Sequence, residues 1–376
     1  MKVVVAAEVR EHERRVALVP ELVGRLTTAG LDVVVESGAG IGSLHPDSAY
    51  EAAGAAVVSG DAALAGADVV VSVQPLAPAR IAALRTGAIT VSFLPVTQEL
   101  DVVRAARDAG VTALSLELVP RISRAQSMDA LTSQALVAGY RAVLVAAEKL
   151  PRFFPLSMTA AGTVPPAEVL VLGAGVAGLQ AIATARRLGA RVQAYDVRAA
   201  SADEIRSLGA KFVELDLPSL EGAGGYAREM TEERAQLQRD LLAPHVSASD
   251  VVITTAAVPG RTAPLLVQRP AVEAMKPGSV VVDLAAESGG NVEGSVAGSE
   301  LTVGGALLWG GRNVPSQLPV HASRLYAANV VNVVLLMTAD GKVTPDFDDE
   351  IVDGACVTHD GAVRLANVRD ALGEGS

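Results

Sequence analysis

Short valine-rich runs alternate with amphipathic stretches along the whole chain. Val3 to Ala6 reads as a strand, Pro20 to Ala29 as a helix stopped by Gly30, and Leu31 to Glu36 as a second strand. The alternation continues with helical stretches at Ser48–Ala53, Ile81–Arg85 and Leu100–Ala109. Extended runs lie between them at Ala56–Val58, Asp68–Val73, Ala88–Phe93 and Val111–Leu114. Strands that are apolar on both faces, each followed by a helix, predict a parallel doubly wound sheet. The first 120 or so residues therefore make one α/β domain, and they contain no phosphate loop.

A long helical pattern from Ser127 to Leu150 follows, read as a helix bridging two domains, and a linker then runs to Pro166. A second alternating series begins with a strand at Val169–Leu172, a helix at Leu179–Leu188 ending at Gly189, and a strand at Arg191–Tyr195. Later strands are expected at Lys211–Glu214, Asp250–Thr255, Ser279–Leu284 and Leu301–Val303, and an apolar helix at Ala322–Thr338 returns the chain to the first domain. The expectation is an α/β protein of two Rossmann-like, doubly wound parallel-sheet domains with a nucleotide cleft between them. Residues 1–139 with 326–376 would form the first domain and 140–325 the second.

Between the strand at Val169 and its helix stand Gly173, Gly175, Val176 and Gly178, in the spacing G-x-G-x-x-G. The first glycine permits a tight turn, the second lets the backbone approach a pyrophosphate, and the third lets the helix lie close on its strand. The helix N-terminus then turns unpaired N–H groups toward phosphate. Asp196 ends the next strand about 20 residues on, where a carboxylate accepts hydrogen bonds from ribose hydroxyls and repels a 2′-phosphate. NAD(H), not NADP(H), is the expected ligand.

Composition narrows the setting. A net charge of −11 argues against nucleic acid or an anionic membrane surface as the main partner. The longest apolar candidate for a membrane span, Val330–Met337, is too short, so no direct span is expected. The opening residues carry no export signal, and the single cysteine, Cys356, excludes an internal disulfide. No metal site is expected.

A second chemistry-bearing stretch runs from Pro120 to Asp129, where Arg121, Gln126 and Asp129 set a cation, an amide and a carboxylate at short intervals. On residue chemistry alone, Ser127 is a candidate N-cap for the long helix and Asp129 a first-turn anion favoured by its dipole.

This stretch, the fingerprint ending in Tyr195-Asp196-Val197-Arg198, the glycine-rich segment around Tyr226, the run from Thr254 to Pro264 and the run from Asp283 to Gly294 together resemble one family. It is the NAD(H)-binding domain I of proton-translocating nicotinamide nucleotide transhydrogenase, and the likeness covers nearly the entire chain. The resemblance implies that Arg121, Gln126 and Asp129 order the nicotinamide and its ribose at the hydride-transfer site, with Thr132 where a serine is usual. It implies that Tyr226 belongs to a mobile loop closing on nucleotide, that Asp196, Val197 and Arg198 meet the adenosine ribose, and that Thr255 and Ala256 lie at the ligand-facing strand end. NADP(H) would bind only to a partner subunit, and membrane-spanning partners would translocate protons. The chain itself would be a cytoplasmic homodimer held at the inner face of the membrane through those partners.

The same resemblance reaches alanine dehydrogenase, the alternative reading, through Arg15, whose match in those enzymes contacts the substrate carboxylate. Amino-acid oxidation needs a proton acceptor. After Lys2 there is no lysine before Lys149, and neither Val69–Pro75 nor Ser92–Pro95 contains lysine or histidine. A third reading is a non-catalytic NAD sensor, which would have no need to present the nicotinamide edge.

Overall fold

The computed structural model describes residues 1–217, 231–257 and 261–373. The chain forms two compact units, residues 1–134 with 315–376, and residues 135–314. Both limits fall before the expected ones at 140 and 326. The helix Ala130–Lys149 carries the chain from the first unit into the second without a break in its pattern, so no residue there signals a boundary.

In the first unit one sheet runs, in spatial order, Ala362–Val363, Cys356–His359, Thr112–Ser115, Ile89–Ser92, Val69–Val71, Lys2–Val5, Asp32–Glu36, Ala56–Val58. The six strands from Thr112–Ser115 onward are parallel. Cys356–His359 adds antiparallel to Thr112–Ser115, and Ala362–Val363 antiparallel to it, an edge that the strand pattern does not predict. Valines in alternate positions supply both faces. Val3, Val5, Val33, Val35, Val69 and Val71 enter one core, and Val4, Val34 and Val70 the other. Each such side chain removed from water contributes about 1.5–3 kcal/mol.

The second unit repeats this logic around Lys211–Phe212, Arg191–Tyr195, Glu168–Leu172, Val251–Thr254, Val280–Asp283, Ala306–Gly310 and Glu300–Val303. All neighbours are parallel except the last pair, a hairpin whose inner strand, Ala306–Gly310, is absent from the expected strands. Val169, Val171, Val251 and Ile253 face one core, while Leu170, Leu172 and Val252 face the other. The expected linker contains a small hairpin, Ser157–Thr159 with Gly162–Val164.

Two helices differ in extent from their sequence patterns. The one expected at Leu179 starts at Val176, directly after Gly175. The bridging helix starts at Ala130, because residues Ser123–Met128 wind as a 3-10 helix. By length and mean hydropathy (1.3) the bridging helix is also apolar enough to cross a membrane, which no unbroken apolar run in the sequence signals. Its Ala142, Val143, Val145 and Ala146 lie in the core of the second unit.

Candidate functional site

In the second unit the glycine fingerprint has three distinct steric environments. Gly173 turns at φ +103°, and a Cβ there would sit 2.6 Å from Thr255 Oγ1. At Gly178 a Cβ would lie 1.8 Å from the Gly173 carbonyl oxygen, so the helix can approach its strand only with glycine at this position. Around Gly175 a Cβ would meet nothing within 4 Å. The turn is thus tight at its first and third glycines and open at its second, the form that admits a pyrophosphate against backbone. Gly175 is the N-cap of the helix Val176–Arg187 and supplies no side chain to its first N–H groups. Those amides, together with the helix dipole, suit an anion, and Arg186 and Arg187 complement the other end. The turn is buttressed from behind. The bridging helix passes so close that a Cβ on Gly139 would lie 2.1 Å from the Ala177 carbonyl oxygen.

Asp196 follows the strand Arg191–Tyr195, and its side chain is almost fully buried. Oδ2 accepts from the Ala174 amide at 2.7 Å, which ties the second strand end to the glycine turn. Oδ1 accepts from the amide and Nε of Arg198, both at 2.9 Å, and Arg198 Nη2 reaches Oδ2 at 3.1 Å. Burial pushes the carboxyl up, but the Arg198 guanidinium and the two amides outweigh it and hold Asp196 below the usual carboxylate range. Val197, between them, is exposed.

At the end of the strand Val251–Thr254, Thr255 Oγ1 donates to the Gly173 carbonyl at 3.1 Å, and Ala256 offers its carbonyl to Asn291 Nδ2 at 2.8 Å. Asn291 Nδ2 also reaches the Pro264 carbonyl at 2.8 Å. The buried Asp283 receives Thr254 Oγ1 at 2.9 Å and the amides of Ala285, Asn291 and Val292. Asp283 and Asn291 therefore brace the loops at this strand end. Tyr226 and residues 258–260 lie outside the described residues.

The loop holding Arg121, Gln126 and Asp129 belongs to the first unit. Ala125 and Met128 stand three apart on the 3-10 helix and bury themselves in the core, which leaves Arg121 and Gln126 exposed. Asp129, not Ser127, is the N-cap of the bridging helix. Its Oδ1 accepts from the Thr132 amide at 2.8 Å, and its Oδ2 from Thr132 Oγ1 at 2.6 Å. Ser127 fails as a cap because the 3-10 turn places it before the helix begins. Arg124 grips Asp349 bidentately at 2.7 and 2.9 Å, and Asp349 in turn caps Glu350–Ala355 through the Ile351 amide.

A buried polar cluster elsewhere in the first unit is only partly legible in the sequence. Arg15, 4% exposed, donates through Nε and Nη2 to Glu13 at 2.8 and 2.7 Å and through Nη1 to Gln134 Oε1 at 2.8 Å. Gln74 Nε2 donates to Glu13 at 2.8 Å, and Glu8 accepts the amides of Val73 and Gln74. Burial raises the Glu13 carboxyl, but Arg15 overrides it and brings the pKa down to about 2. For Glu8 burial prevails and pushes the pKa up to about 8. The hollow beside these groups is lined by Glu8, Arg10, Ser72, Gln74, Pro75 and Arg80 among others, with no lysine or histidine. The spacing Glu13-x-Arg15, which lets a carboxylate and a guanidinium two residues apart meet, is the available signal.

Two family models match, "Alanine dehydrogenase/PNT, N-terminal domain" over residues 4–138 and "Alanine dehydrogenase/PNT, C-terminal domain" over residues 142–366. An NAD(P) transhydrogenase subunit alpha polypeptide of Rhodospirillum rubrum is 46% identical over 374 residues, covering 96% of this chain and 97% of the relative. The crystal structure of transhydrogenase from Sinorhizobium meliloti superposes with a TM-score of 0.85 at 45% identity, covering 96% of this chain and 98% of that one. Alanine dehydrogenase of Mycobacterium tuberculosis is more distant, 31% identical over 381 residues, with coverage of 99% and 97%.

Proposed function

The chain belongs to the alanine dehydrogenase/PNT family, and we propose that within it this protein is the NAD(H)-binding component of a proton-translocating transhydrogenase. NADH is then a substrate. Its hydride passes from C4 of one nicotinamide to C4 of NADP⁺ held by a partner subunit, giving NAD⁺ and NADPH. No proton enters or leaves at the reacting carbons, so the chemistry calls for ring placement and not for a general acid or base.

The parts fit that demand. The fingerprint Gly173, Gly175, Val176 and Gly178 supplies an open backbone cradle and a helix N-terminus for the pyrophosphate. Asp196, with Val197 and Arg198, receives the adenosine ribose, and Thr255 and Ala256 belong to the strand end that bounds the nucleotide. Arg121, Gln126 and Asp129 order the nicotinamide, with Thr132 sharing the Asp129 carboxylate. Tyr226 closes over bound nucleotide.

The observation that carries this reading over amino-acid oxidation is the outward presentation of Arg121 and Gln126 by a loop whose Ala125 and Met128 are anchored in the core. A ring that must meet a second protein needs exposed orienting groups. The hollow lined by Glu8 and Gln74, in contrast, contains no lysine or histidine, and the one carboxyl group among its lining residues, Glu8, is tied to the Val73 and Gln74 amides. We assign proton translocation to membrane-spanning partner subunits, through which a homodimer of this chain is held at the inner face of the membrane.

Mixing the NADH-loaded protein with an NADP⁺-loaded transhydrogenase NADP(H)-binding subunit tests the assignment. NADPH should form only when both proteins are present. Nucleotide binding without any NADPH would reduce the protein to a sensor.

A further inference from the structure

Ser127 stands between Gln126 and Asp129, and its carbonyl oxygen is the meeting point of two side chains from the helix Pro319–Leu336. Asn329 Nδ2 donates to it at 2.9 Å and Asn332 Nδ2 at 2.8 Å. The two asparagines are three residues apart and so share a helix face. Each is itself held in place. Asn329, 6% exposed, accepts Ser133 Oγ through its Oδ1 at 2.7 Å, and Asn332 Oδ1 accepts Arg25 Nη2 at 3.0 Å.

The loop's own hold on this peptide is the buried Met128 side chain. The bond that would close its last turn, from the Asp129 amide to the Gln126 carbonyl, is stretched to 3.4 Å. A carbonyl oxygen has two lone pairs, and here both meet a donor fixed on a packed helix. Rotation of the peptide between Ser127 and Met128, on the segment that joins Gln126 to Asp129, would break both bonds at once.

We infer that Asn329 and Asn332 are positioning residues for the hydride-transfer step, a clamp that sets the relative aim of Gln126 and Asp129. The inference rests on the functional reading above. Each asparagine is proposed to act through the Ser127 carbonyl and not by contact with nucleotide. Loss of one donor should therefore leave the glycine turn and Asp196 to bind NADH as before, while ring placement, which tolerates little error, suffers.

Asn332→Asp tests this with the fold protected. It keeps the side-chain shape and strengthens the contact with Arg25, yet it replaces the N–H donor facing Ser127 with an acceptor. The full chain would be measured in three ways, by NADH titration, by single-turnover hydride transfer to an NADP⁺-loaded partner subunit, and by amide hydrogen exchange. The expected result is NADH affinity within a few-fold of wild type, a transfer rate lower by about 10- to 100-fold, and faster exchange at the Met128 and Asp129 amides with the sheet unchanged. Arg25→Gln, which leaves both donors to Ser127 and removes only a brace on Asn332, should lower the rate by less than Asn332→Asp does. Asn332→Asp transferring at the wild-type rate would overturn the inference, as would a loss of affinity with the rate intact. If the wild-type protein transfers no hydride, the functional reading fails. The clamp is then still decided by exchange at Met128 and Asp129, and unchanged exchange there overturns it.

Discussion

Asp196 holds the guanidinium of Arg198 across both carboxylate oxygens, Nε to Oδ1 at 2.9 Å and Nη2 to Oδ2 at 3.1 Å. With the amides of Ala174 and Arg198 also bound, every acceptor site of the carboxylate is engaged. On the proposed assignment, a ribose docking here would displace the guanidinium, and the pair would set both affinity and discrimination.

Asp196→Ala should weaken NADH binding by about 10-fold or more, the scale of a lost hydrogen bond to a charged group, without loss of the folded core. Asp196→Asn removes the charge that holds Arg198 and frees a cation able to meet a 2′-phosphate, so it should shift preference toward NADPH. Calorimetric titration with both nucleotides checks this. Unchanged NADH affinity in Asp196→Ala would refute the ribose assignment.

Gln126→Ala should affect the chemical step more than binding. The amide carries no charge to anchor a pyrophosphate, and the glycine turn is untouched. Misplacement of the ring by roughly 1 Å can cost about 100-fold in rate. Single-turnover transfer should therefore fall far more than NADH affinity. If affinity alone falls, Gln126 is an ordinary binding contact.

Alanine should not support NADH formation by this protein. Arg15 is engaged by Glu13 and Gln134, the hollow at Glu8 has no lysine or histidine, and Glu8 itself is tied to the Val73 and Gln74 amides. Steady turnover with alanine, or with pyruvate and ammonium, would favour the dehydrogenase alternative.

Stability should fall as pH rises from about 4.5 toward 8 through Glu8. Its folded pKa is raised from 4.5 to about 8, so its contribution is complete below the unfolded value and disappears through the folded one. One proton taken up differentially corresponds to a slope of about 1.4 kcal/mol per pH unit. Glu8→Gln, neutral at every pH, should flatten the thermal-midpoint profile over that window. Glu13 has the opposite sign, with stability present above 4.5 and lost toward about 2, so it does not compete in the same range.

What can be read from residues alone follows from how local each cause is. The glycine turn is legible because a positive φ at Gly173 and the close approach at Gly178 are satisfied within a few residues of each other. The parallel strands are legible because burial on both faces demands apolar residues at every position. Cys356–His359 escapes because its partner strand, Thr112–Ser115, lies more than two hundred residues earlier and nothing local marks the pairing. The role of Asp129 is ambiguous in the sequence because Ser, Asp and Thr all suit a helix start. Only the 3-10 turn of Ser123–Met128 decides which of them sits at the cap. The clamp on Ser127 depends on residues about two hundred positions away and has no sequence signature.

The most direct test of direct hydride transfer uses NADH carrying deuterium at the transferred C4 position, mixed as a complex with this protein and an NADP⁺-loaded partner subunit in ordinary water. Deuterium recovered at C4 of NADPH, with none released to solvent and no NADPH when either protein is omitted, is the expected result. NADPH that lacks the label, or no NADPH at all despite tight NADH binding, would contradict it.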